Sequence, residues 1–260
     1  MRIKKTDESG QQALVKFDAE LAARAALSAQ MEAGVSLGQF ISTRNGHFSY
    51  QGAPIKDDRL EVVVMASILE NKFYDRDFDP DQPSSPACYA FGTDNATMCP
   101  HAAAPTPQCE TCFACKQNQF GTSIRGRGKA CKNIRRIALL SKDDLKNITE
   151  GPIAYLPLPV TSVRGWAAYV MQITQVLKCP LWAVVTEITI APDLKTQYCI
   201  SFRALSSITD RTMLTALLAR SNQVEEGIGF PYPVYQQLSV PTGKRSKEKE
   251  QPQPQRKTKF

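Results

Sequence analysis

The chain has 260 residues, 42% of them hydrophobic and 22% charged, so it can bury the core of one elaborated domain or two small ones. No run approaches the ~18 consecutive apolar residues of a membrane span, and Met1-Arg2-Ile3-Lys4-Lys5-Thr6-Asp7-Glu8 turns polar where a signal peptide needs its apolar stretch. The expectation is a cytoplasmic chain with no membrane partner. Its net charge of +7 is concentrated: residues 116–136 hold seven basic side chains and no acid, and residues 241–260 hold seven against two Glu. One basic internal segment and one basic tail suit a polyanion met at defined places.

Residues 11–33 are Ala-rich, with Leu14, Phe17, Leu21, Ala25 and Ser28 on one helical face and Gly34 as the stop. They predict an N-terminal helical segment over 1–35. Asn45-Gly46, between Phe40-Ile41-Ser42-Thr43-Arg44 and His47-Phe48-Ser49-Tyr50, predicts a hairpin. Leu60 to Leu69 reads as a buried strand running into a partly exposed Asn71-Lys72-Phe73-Tyr74. Residues 79–131 are loop-like and rich in Pro, Gly and Cys, too long to lie structureless in a compact domain. Asn133 to Leu140 returns as a strand, and a short helix is expected around Trp166 to Leu177. Strands over Leu181 to Ile190 and Gln197 to Leu205 flank Ala191-Pro192-Asp193. A helix from about Asp210 to Val224 takes Thr209 or Asp210 as its cap. From Pro241 onward the Lys/Glu/Gln/Pro composition predicts a disordered basic tail over 241–260. The body, residues 36–240, is therefore expected to be β-rich α+β, and a small oligonucleotide-binding (OB-fold-like) barrel with peripheral helices accommodates the order.

Six of the eight cysteines cluster: Cys88, Cys99, Cys109, Cys112, Cys115 and Cys131. Cys179 and Cys199 lie in apolar surroundings and read as ordinary buried thiols. In a reducing compartment such a cluster favours metal over disulfides. Cys109-x2-Cys112-x2-Cys115 contains two overlapping knuckles. Each places two thiolates about one turn apart, in reach of a tetrahedral zinc at ~2.3 Å. Only one knuckle serves a zinc in the usual way; Cys88 and Cys131 are suitably spaced to complete four ligands, and Cys99 or His101 could replace one. A zinc site would give residues 79–131 a small core of their own. His47 and His101 are the chain's 2 histidines and lie in no recognisable nucleophile motif, which argues against His-based catalysis.

Single-strand binders combine a basic groove with aromatic faces on which bases stack, worth ~1–3 kcal/mol per base. The candidate contacts here are Lys72 and Tyr74 at a strand end, then Phe120, Arg125, Arg127, Lys129, Lys132, Arg135 and Arg136, and finally Arg164 and Trp166. Within Phe120-Gly121-Thr122-Ser123-Ile124-Arg125-Gly126-Arg127-Gly128-Lys129 the glycines would let backbone amides approach phosphates. Core packing is the competing reading for each aromatic, Phe48, Tyr50 and Trp182 included. The run has no Walker-type phosphate loop.

Phe73-Tyr74-Asp75, Pro86-Ala87-Cys88, Cys112-Phe113-Ala114-Cys115-Lys116-Gln117-Asn118-Gln119-Phe120-Gly121-Thr122-Ser123 and Gly126-Arg127-Gly128-Lys129-Ala130-Cys131 together resemble a family of bacteriophage single-stranded DNA-binding proteins. In plan these are similar to the T-even phage helix-destabilising type, an oligonucleotide-binding barrel with an inserted zinc module. The resemblance spans about a quarter of the chain. It implies Cys88, Cys112, Cys115 and Cys131 as zinc ligands, with Cys99, His101 and Cys109 as extras. It also implies sequence-tolerant binding of unwound strands in phage DNA replication and recombination, phage replication proteins as further partners, and no catalysis. The chain departs from that pattern at Ala90-Phe91-Gly92, and its basic end Arg256-Lys257-Thr258-Lys259-Phe260 stands where many single-strand binders have an acidic tail. Rival expectations are a zinc-dependent regulator that binds RNA or duplex DNA, and a nucleic-acid-processing enzyme. Against the enzyme stand the scarcity of His and the lack of a clustered acidic motif.

Overall fold

A computed structural model describes Phe17, residues 19–21, 23–24, 39–76, 84–124 and 126–232. Of the helix expected over 11–33, Phe17, Ala19 to Leu21, Ala23 and Arg24 are helical, and the rest lies outside the described residues. Arg125 and the basic tail also lie outside them.

The chain is a β-rich α+β protein with antiparallel sheets. A small sheet comes first: β1 (Ile41–Ser42), β2 (Ser49–Tyr50) and β3 (Ala53–Pro54). Asn45 and Gly46 have positive φ, 56° and 77°, as turn formers should, yet Ser42 pairs with Ser49 across a wider connection. The tight two-residue turn is instead Gln51-Gly52, at φ 50° and 80°, between the paired Tyr50 and Ala53.

The large sheet is built on β4 (Arg59–Phe73), longer than its expected apolar centre. Around it lie β5 (Cys88–Gly92), β6 (Lys132–Ser141), β7 (Ile153–Leu158), β8 (Val184–Asp193) and β9 (Gln197–Ser207). The order is β7-β6-β4-β8-β9, with β5 on the far end of β4. Thus β4 pairs with β6 along its length, with β8 through Arg59 to Val63 and with β5 through Leu69 to Phe73. Among the described residues no pairing joins β7 to β9. The register shifts between Val64 and Ala66, and the bulged Met65 offers its carbonyl to Ser221 Oγ at 2.7 Å.

Val62 to Ala66 are all buried because both faces of the sheet are covered. On one face α1 (Val160–Met171) continues through a π turn to Val176 and buries Ser162, Trp166, Tyr169 and Ile173, a single helical stripe. That stripe packs on Val62, Val64, Ile137, Leu139, Val184, Ile188 and Ile200. On the other face α2 (Arg211–Gly227) buries Leu217, Ser221 and Val224 against Val63, Met65, Ala138 and Val185. Asp210 caps α2, accepting from Met213 N at 2.7 Å. No described helix is long and apolar enough to cross a membrane.

The stretch over 79–131 differs from the loop expected. It contains β5, five residues bracketed by turn-forming sequence and paired with β4, together with a small cluster of Ala90, Met98, Cys112 and Leu69. Gly92 permits this packing, since a Cβ there would meet Met98 Cγ at 2.5 Å. Cys179 and Cys199 are half-buried rather than buried.

Candidate metal centre and nucleic-acid interface

Beyond the reach of β8, the end of β4 forms a three-stranded ribbon with β5 and β6. Strand alternation gives the ribbon two faces. Asn71 and Phe73 join Cys88 and Ala90 on one face, where Gln108, Cys109, Cys112, Cys115, Gln117, Asn118 and Cys131 complete the lining of a pocket. Its cavity is about 10 Å³, room for roughly one water-sized atom. Five of the six clustered cysteines thus meet in one place; Cys99 is exposed beside them.

Cys88, Cys112, Cys115 and Cys131 are all buried, and each of the six pairs they form is close enough to interact electrostatically. Burial pushes the Cys131 thiol up to about 12, and the other three thiols push it in the same direction while Lys129 opposes them. Cys88 and Cys112 are raised for the same first reason, against a hydrogen bond from the Gln108 amide to Cys88 and one from Asn71 to Cys112. Cys109, half-buried and hydrogen-bonded to Cys115, is also pushed up to about 12, chiefly by burial. Such thiols stay protonated until a cation balances them. In donor chemistry alone, a sulfur-rich set of this kind is one that zinc takes. Among the described residues no group of three or more His, Cys, Asp or Glu is arranged so that it could hold a metal ion.

The basic segment folds over this pocket. Cys131 N donates to Gln117 O at 2.8 Å, and Asn118 Nδ2 donates to Cys112 O at 2.8 Å. Gly121, at φ 88°, donates its amide to the carbonyls of Arg127 and Gly128, and Ser123 N donates to Gly128 O. These two amides are occupied within the loop. What the loop presents is side chains. Phe113, Phe120 and Ile124 are 71%, 81% and 93% exposed, beside exposed Lys116 and Arg127. Lys129 Nζ lies 5.2 Å from the Phe120 ring centroid and donates to Asn118 Oδ1 at 3.2 Å. Lys132 is exposed and pairs across the ribbon with half-buried Lys72; Tyr74 is exposed at the end of β4. Burial lowers the Lys72 pKa, and it lowers that of half-buried Arg135.

Two expected contacts are corrected by burial. Arg136 is 0% exposed on the ribbon's other face, paired with Glu70 at 3.1 Å and donating to the carbonyls of Ile228 and Phe230. Trp166 is 4% exposed and packs edge-on against Phe202, so its ring is closed to a base. Arg164 is exposed, but on α1, which packs on β9 and β6. Phe48 is core, as the packing alternative held. Phe113 and Ile124 escaped the sequence reading; their position between cysteines and glycines, where no periodic core face passes, was the available signal. Nor could the contribution of Asn71 to the pocket be seen without the register of β4. No family model, no curated protein and no solved structure matches this chain.

Proposed function

We propose that this chain is a zinc-containing, sequence-tolerant single-stranded DNA-binding protein of the bacteriophage type, holding unwound strands during replication and recombination without catalysis. The observation that carries the reading is an exposed aromatic and basic loop folded directly onto a pocket lined by five cysteines. Cys88, Cys112, Cys115 and Cys131 would hold the zinc, whose charge would keep four buried thiolates ionised. Phe120 offers a stacking face, with Tyr74 a second at the end of β4, while Arg127, Lys129 and Lys132 neutralise phosphates. A long, bulged β4 shared by both halves of the sheet supports an OB-like barrel with the zinc module inserted at about 79–131, between β4 and β6. Phage replication proteins belong to the same proposal as further partners.

Fluorescence titration tests it with single-stranded DNA, duplex DNA and RNA of several sequences at two salt concentrations. Single strands should bind at least about tenfold tighter than duplex, the equivalent of one stacked base, with little dependence on sequence. Preference for duplex or RNA overturns the reading in favour of a regulator. Metal analysis should return about one zinc per chain. Cys112→Ser and Cys131→Ser should lose it, and Cys179→Ser should keep it. Full occupancy in Cys112→Ser would refute the ligand set and bring in Cys109.

A further inference from the structure

A tetrahedral zinc takes four thiolates, and five thiols line the pocket. The fifth is placed unlike the rest. Cys109 is half-buried where Cys88, Cys112, Cys115 and Cys131 are buried, so it stands on the solvent side of the cluster. It lines the same small pocket as Cys115, Cys112 and Cys88, close enough to interact with each of them. The turn that carries it leaves Glu110, Thr111, Phe113 and Ala114 exposed, so little packing resists a local shift.

We infer that Cys109 and Cys115 form an oxidation site, in which a hydroperoxide converts the neighbouring thiols to a disulfide and withdraws one ligand from the proposed metal centre. The inference rests on the zinc centre proposed above. The Cys115 thiolate attacks the terminal oxygen of the hydroperoxide; the O–O bond breaks and Cys115 becomes a sulfenic acid. The departing alkoxide takes the proton of the Cys109 thiol and leaves as an alcohol. The Cys109 thiolate then attacks the Cys115 sulfur, the S–S bond forms, and the S–O bond breaks to release hydroxide, which solvent protonates to water. Two electrons pass from the two sulfurs to the peroxide. Three thiolates remain, one fewer than a closed structural site uses. The loop of Phe120, Arg127 and Lys129 loses its anchor, so the same event should loosen single-strand binding, and a thiol reductant should reverse it.

The test treats the full-length protein with a hydroperoxide, maps disulfides by mass spectrometry and follows zinc with a chromogenic chelator. Wild type should yield a Cys109–Cys115 disulfide, release its zinc, and regain metal after reduction in the presence of zinc. Cys109→Ser keeps the four proposed ligands and should fold with zinc bound, form no such disulfide, and show no reductant-reversible release. If Cys109→Ser releases and regains zinc as wild type does, or if mapping finds Cys112 or Cys131 in the dominant disulfide, the inference is overturned. A resting protein without zinc counts against the metal centre instead; the disulfide map still decides the thiol pair.

Discussion

Removing Arg136 should destabilise the fold and leave the proposed strand-binding surface intact. Its guanidinium is completely buried, held by Glu70 at 3.1 Å and by the carbonyls of Ile228 and Phe230 at 3.0 Å each. Four rings enclose it, with centroids at 4.3 Å (Phe91), 4.4 Å (Phe230), 5.3 Å (Phe40) and 5.3 Å (Tyr232). Arg136→Met keeps much of the volume but strands Glu70, whose remaining hydrogen-bond partner among the described residues is the Tyr232 hydroxyl. Breaking one side of a buried pair costs about 3–5 kcal/mol. In a chain of this size that corresponds to a drop of about 6–20 °C in melting temperature. Glu70→Leu combined with Arg136→Met removes both charges and should recover part of the loss. Recovery should be incomplete, because the two carbonyls and the hydroxyl lose their partner at about 1–3 kcal/mol for each buried group left unmade. Urea unfolding of the wild type, both single variants and the double variant measures the coupling. If Arg136→Met unfolds at the wild-type midpoint while the salt dependence of DNA binding flattens, then Arg136 faces the nucleic acid and the burial argument is wrong.

Replacing Arg127, Lys129 and Lys132 together by Ala should flatten the slope of log affinity against log salt by up to about two units, since each neutralised phosphate contributes about 0.7 on a single strand. Phe120→Ala should weaken all sequences alike by about 1–3 kcal/mol with the salt slope unchanged, and an altered slope would mean Phe120 acts through Lys129 rather than by stacking. Deleting residues 241–260 should cost less affinity than the triple replacement at about 150 mM salt, where the Debye length is about 8 Å, and should mainly slow association. Asp58 is held below the ordinary carboxylate range by its hydrogen bond with His47 and by the Phe48 amide it accepts at 2.8 Å. A depressed pKa gives a contribution present above the unfolded value of about 3.9 and lost as pH falls through the folded one, so the Phe48 amide resonance should titrate below pH ~3.9. A midpoint above that value contradicts the contact.

Long apolar runs were legible because burial on both faces leaves little else in the sequence: β4, β6 and β8 appear near their expected bounds, as does the more exposed β9, and α2 begins at its Asp210 cap. The failures have physical causes. β5 is five residues long and is held in place by pairing with β4, which no local pattern announces. Asn45-Gly46 has the backbone of a tight turn, yet strand pairing put that turn at Gln51-Gly52. Arg136 belongs to a run of basic residues by composition, but alternation along β6 sends it to the face opposite the cysteine pocket, where a carboxylate, two backbone carbonyls and an aromatic enclosure make its burial tolerable. Spacing foreshadowed that Cys88 and Cys131 could join the two overlapping knuckles of Cys109, Cys112 and Cys115, and all five line one pocket. The side chains supporting it come from β4 and β6, tens of residues away.

Asn71 gives the sharpest test of how that support works. It is 3% exposed and faces the pocket directly opposite Asn133 on β6. Asn133 Nδ2 donates to Asn71 Oδ1 at 2.6 Å, which fixes the amide with its own NH2 toward the cysteines, where it donates to the Cys112 sulfur. That donor favours thiolate over thiol, and the proposed zinc would need the thiolate. Asn71→Asp is nearly isosteric but offers a negative charge where the sulfur needs a donor. Outer-shell changes of this kind cost about 10–100-fold in metal affinity, and the wrong charge should place Asn71→Asp at the upper end. Asn71→Leu removes the donor without adding charge and should lie nearer the lower end. Competition against a chelator of known affinity orders the three proteins, with urea unfolding of the metal-free forms alongside. If Asn71→Asp and Asn71→Leu weaken zinc equally and track the loss of metal-free stability, the amide is a packing element of the ribbon. If the aspartate binds zinc more weakly at equal stability, the hydrogen bond to Cys112 helps set the affinity of the centre.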